Sequence, residues 1–79
     1  MPKTRDVHGH KVEYEDDAKP GVEYLDDRLD YKEAEVFFQQ AKAHGTVELE
    51  DQAGRDYSLN YDPAGKYAVV RRKSSSGWF

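Results

Sequence analysis

A chain of 79 residues with 37% apolar and 35% charged side chains makes one domain at most, with a thin core and no cleft between lobes to serve as a reaction chamber. Without cysteine there is no disulfide staple and no thiolate metal cluster. The net charge of -4 is unevenly spread: residues 1–12 carry +2, residues 13–35 set ten carboxylates against Lys19, Arg28 and Lys32 for -7, and the remainder carries +1.

From the start, Met1-Pro2-Lys3-Thr4-Arg5-Asp6 leads into no signal-peptide apolar run, and no stretch approaches the roughly 20 apolar residues of a membrane helix. A cytoplasmic protein without membrane contact is expected. Residues 1–10 read as a flexible N-terminal arm, 11–73 as a single α+β domain and 74–79 as a tail of Ser and Gly ending in Trp78 and Phe79.

Val12-Glu13-Tyr14-Glu15-Asp16-Asp17 is echoed ten residues on by Val22-Glu23-Tyr24-Leu25-Asp26-Asp27. Each copy alternates Val, acid, Tyr, so each reads as a brief strand with Val and Tyr inward and Glu outward, joined through Asp16-Asp17-Ala18-Lys19-Pro20-Gly21 as a hairpin. The alternative reading pairs only the second copy with the sheet and leaves the first as a mobile arm.

Asp30 and Glu33 stand in capping-box spacing and Gly45 supplies a left-handed stop, which predicts a helix over Tyr31–His44. Tyr31, Ala34, Phe38 and Ala41, widened by Phe37, form its packed stripe, with Lys32, Glu35, Gln39 and Lys42 wet. Three strands then follow: 46–50, 57–61 and 66–72. They are separated by Gln52-Ala53-Gly54-Arg55 and by Asp62-Pro63-Ala64-Gly65, whose Asp, Pro and Gly fit a type I turn. The predicted architecture is one amphipathic helix on a small antiparallel sheet, order β(β)-α-β-β-β, with the other sheet face partly open.

The acidic run is the largest departure from an even charge distribution. Glu13, Glu15, Asp16, Asp17, Glu23, Asp26, Asp27 and Asp30 could form a carboxylate surface that docks on a basic, possibly nucleic-acid-handling protein, as an inhibitor or regulator. The plainer reading has Asp26, Asp27, Asp30 and Glu33 favouring the positive end of the helix dipole, and Glu13 and Glu23 forming the solvated face of edge strands. A second functional reading is a single-strand nucleic-acid module in which Arg71, Arg72 and Lys73 meet phosphates while Tyr57, Tyr61, Tyr67 and Trp78 stack on bases. Negative overall charge works against it, and the tyrosines suit a core as well.

His8 and His10 with Asp6 or Glu13 do not add up to a metal site, and an accidental surface pair is the simpler reading. No nucleophile stands with a base and an orienting group, the serines cluster in the tail, and the glycines are isolated turn residues. No enzyme, cofactor or metal is expected. Trp78 and Phe79 could dock on a second copy of the chain or fold back over the open sheet face.

Overall fold

The computed structural model describes residues 2–72. Two antiparallel strands, β1 (Lys3–Val7) and β2 (His10–Tyr14), open the chain. A helical connection follows, made of a 3-10 turn at Asp16–Ala18, a short helix α1 (Lys19–Glu23) and a π-turn at Tyr24–Arg28. The long helix α2 (Tyr31–His44) leads into β3 (Thr46–Glu50), β4 (Asp56–Asp62) and β5 (Lys66–Arg71).

The predicted helix has these same bounds. The Asp30 side chain accepts the Glu33 N–H at 2.8 Å, Glu33 Oε1 accepts the Asp30 N–H at 3.2 Å, and Gly45 closes the helix with its N–H on Ala41. Of the expected stripe, Ala34, Phe38 and Ala41 are buried and Phe37 packs at the edge, but Tyr31 is 59% exposed. Tyr31 stands at the first turn of α2, with its ring edge-on to His8 at 6.0 Å.

The fold class is α+β, and the sheet is mixed rather than antiparallel throughout. Strand order is β1-β2-β5-β4-β3, with β2 and β5 parallel through Val12↔Tyr67, Glu13↔Ala68 and Tyr14↔Val69. The meander β3-β4-β5 follows from local turns. The β2–β5 pairing joins residues more than fifty positions apart, and no turn specifies it.

The second Val-Glu-Tyr copy is not a strand. Ala18, Val22 and Leu25, all fully buried, recur at four- and three-residue steps, with Leu29 packed four further on. That period is helical. Pro20 sits in the first turn of α1, where its missing N–H costs nothing, so Pro20-Gly21 starts a helix instead of turning a hairpin. The hairpin lies earlier: β1 falls inside the segment read as an arm and pairs with the first copy across His8 and Gly9, whose φ values of 51° and 86° make a two-residue turn.

All of this builds two layers. Val7, Val12, Tyr14, Leu49, Tyr57, Leu59, Tyr67 and Val69 point from one sheet face into a single core with Val22, Leu25 and Phe38. The helical connection lies over β2 and β5, and α2 over β3 and β4. The opposite face carries alternating residues such as Thr4, Glu13, Asn60, Ala68 and Val70, and Val70 is half exposed.

Candidate functional site

Seven of the eight acidic site residues fall on residues 15–30, the helical connection and its two flanks. Glu13 does not join them. It lies between buried Val12 and Tyr14 and therefore projects from the other sheet face, where its carboxylate stands 3.7 Å from Lys66 Nζ.

Four of the seven, Asp16, Glu23, Asp26 and Asp27, are met by cations from β1. Arg5 Nε donates to Asp26 Oδ2 at 2.9 Å and its Nη2 lies 2.7 Å from the same oxygen, while Asp27 is 3.7 Å and Glu23 4.0 Å away. Lys3 Nζ is 2.8 Å from Asp16, and the ammonium holds that carboxyl below the usual carboxylate range. Asp30 is committed to capping α2. Seven carboxylates thus face four cations, Lys3, Arg5, Lys19 and Arg28, which leaves the connection negative. Among the described residues, Glu15 and Asp17 have no ion-pair partner and both are exposed.

Beside this surface, a hollow of about 420 Å³ separates the connection from the β3–β4 turn. Glu23, Asp27 and Arg28 charge one wall, Tyr24 and Pro20 supply apolar surface, and Arg55 stands opposite.

Asp51, at the foot of that hollow, carries no weight in the sequence reading and is the most committed polar group of the fold. Its carboxylate accepts the N–H of Ala53 and of Arg55, both at 2.9 Å, the Arg55 Nε–H at 2.8 Å and the Tyr57 hydroxyl at 2.9 Å. Burial pushes the Asp51 carboxyl up, but the Arg55 backbone N–H, the Tyr57 hydroxyl, the Arg55 guanidinium and the Ala53 N–H together hold it below the usual range. Asp followed two residues later by Ala-Gly was the available signal, since Asp side chains fold back on such turns.

The candidate nucleic-acid residues are arranged differently. Tyr57 is fully buried and Tyr67 nearly so, with Tyr67 edge-on to Phe38, so these two rings are core and offer no free face to a base, while Tyr61 is tilted against Tyr67 and only partly buried. Arg71 lies half-buried with its guanidinium 5.7 Å from the Tyr57 ring centre, and its Nε is buried without a partner. Arg72 pairs with Glu48. Lys73, Trp78 and Phe79 lie outside the described residues.

His8 and His10 are not an accidental surface pair. His10 Nε2 sits 2.9 Å from Glu35, a residue the helical pattern leaves wet, and His8 Nε2 faces two backbone carbonyls. Among the described residues, no group of three or more His, Asp or Glu side chains could hold a metal ion, and no helix is long and apolar enough to cross a membrane. Comparison with protein families, curated proteins and solved structures finds no match.

Proposed function

We propose that this chain is a non-enzymatic protein-interaction module whose helical connection docks on a basic surface of a protein partner. The supporting observation is the gathering of seven carboxylates on residues 15–30 against four cations, with Glu15 and Asp17 unpaired among the described residues. Such a surface steers a cationic partner from a distance. The hollow walled by Glu23 and Asp27 suits a lysine or arginine side chain inserted from that partner, its stem against Tyr24 and Pro20.

The test separates docking from folding. Glu15→Lys, Asp17→Lys and Asp27→Lys reverse exposed groups while sparing Asp26 and Asp30, which hold the fold together. Affinity capture at low ionic strength should recover a basic partner with the wild-type chain and lose it with the triple variant, and added salt should weaken the complex. A partner retained equally by the folded triple variant, or no partner at any ionic strength, sinks the reading.

A further inference from the structure

β3 (Thr46–Glu50) ends the strand order at one side of the sheet, and among the described residues β4 alone pairs with it. Hydrogen bonds at both ends fix which backbone groups that pairing uses. Tyr61 donates its N–H to the Gly45 carbonyl at 3.0 Å, and Asp51 donates its N–H to the Arg55 carbonyl at 3.0 Å. Bonded pairs recur at every second residue of an antiparallel ladder, so Val47↔Leu59 and Leu49↔Tyr57 carry the bonds between these two. Thr46, Glu48 and Glu50 therefore turn their N–H and C=O groups to the free side. A strand laid along that side meets a ready row of alternating donors and acceptors.

The side chains give the row a chemical preference. Thr46, Glu48 and Glu50 are exposed on the open sheet face, whereas Leu49 is buried and Val47 is partly buried at the core margin. Glu50 stands directly opposite Asp56, both are exposed, and neither has an ion-pair partner among the described residues. Like charges in opposite positions, with Cβ atoms roughly 4.5–5.5 Å apart, repel. Glu48 is met by Arg72, so at this corner three carboxylates face one cation among the described residues. The other edge of the sheet is balanced: β1 sets Asp6 opposite Lys11, and its Lys3 and Arg5 are held by carboxylates of the helical connection.

We propose that the β3 edge takes an extended segment of a partner protein as a sixth strand, and that the residues of this segment alternate between cationic and apolar. Its Lys or Arg side chains lie on the open face beside Glu48, Glu50 and Asp56, where they offset the repulsion between carboxylates. Its apolar side chains lie on the face covered by α2, beside Val47. Main-chain hydrogen bonds hold the segment, and the alternation selects it. A second copy of β3 is a poor occupant, because self-pairing brings Glu48 and Glu50 of one copy beside those of the other. No residue of the helical connection takes part, so this surface is additional to the docking surface proposed above.

Residue-resolved amide hydrogen exchange of the full chain tests this with two synthetic peptides of equal charge, Lys-Val-Lys-Val-Lys-Val-Lys and the reordered Lys-Lys-Val-Val-Val-Lys-Lys. With the alternating peptide at about ten times its Kd, exchange at Glu48 and Glu50 should slow about tenfold, while exchange at Thr4 and Asp6 on the β1 edge stays unchanged. The reordered peptide should protect neither edge. Glu50→Lys sets a cation opposite Asp56 and so favours the fold, yet it should weaken binding of the alternating peptide by about fivefold. Equal protection by both peptides, no protection at β3, protection at β1 instead, or unchanged affinity in Glu50→Lys overturns the proposal. So does protection of Glu48 and Glu50 that rises with protein concentration alone, since the occupant is then a second copy.

Discussion

Gly21 of α1 lies directly on the Tyr57 ring: a Cβ placed on this glycine would stand 2.8 Å from the ring Cγ and Cδ1. The helical connection can approach β4 this closely only because residue 21 has no side chain. Tyr57 cannot retreat, since it is fully buried and its hydroxyl donates to Asp51. Gly21→Ala should therefore destabilise the fold by about 1–3 kcal/mol, although alanine is the better helix former. An unchanged urea midpoint would mean that the two layers give way easily.

Asp51→Asn should cost about 1–3 kcal/mol, because asparagine keeps the shape but leaves the Arg55 guanidinium and one buried donor poorly matched. The same carboxylate sets an acid limit. Its folded pKa is depressed, so its contribution is present above the ordinary value of 3.8 and disappears as pH falls through the lower folded value. Unfolding followed by circular dichroism below about pH 4 should be steeper for wild type than for Asp51→Asn.

Arg5 presents a sharper choice. It binds one oxygen of Asp26 through two nitrogens while its side chain remains about one-third exposed, so Arg5→Gln should lower stability by about 1 kcal/mol after allowance for solvent screening. It also uncovers Asp26, Asp27 and Glu23. The same variant should bind a basic partner more tightly at low salt, and weaker binding by a folded Arg5→Gln chain would count against the acidic docking surface.

The hairpin turn gives a local test. Gly9 has φ of 86° and follows His8, which is already in a left-handed conformation, so Gly9→Ala should destabilise by about 1 kcal/mol through strain at a second consecutive turn position. Hydrogen exchange should show the loss concentrated in β1 and β2, with α2 amides little affected.

Where neighbours along the chain decide a structure, the residues revealed it. Asp30, Glu33 and Gly45 mark both ends of α2, and Asp62 through Gly65 mark the last turn, where the Asp62 side chain accepts the Ala64 N–H. The helical connection stayed hidden because Val22-Glu23-Tyr24 imitates Val12-Glu13-Tyr14, and the alternation in three residues masked the wider spacing of Ala18, Val22 and Leu25. β1 was missed because Lys3, Thr4 and Arg5 lack the apolar alternation of a buried strand, and only Val7 reaches the core. The β2–β5 pairing has no local signature at all. Of the acidic residues, the sequence shows their number but not that Arg5 and Lys3 would come from β1 to meet them.

The last strand in the described chain occupies the centre of the sheet. Until Lys66–Arg71 is in place, the hairpin made by β1 and β2 has nothing to join, and one edge of β4 stands bare. Assembly is thus expected to start from α2 and the β3-β4-β5 meander, whose contacts are near in sequence, and to finish with capture of the N-terminal hairpin. Substitutions in the hairpin should accelerate unfolding while leaving the refolding rate nearly unchanged, whereas damage to β5 should slow refolding itself.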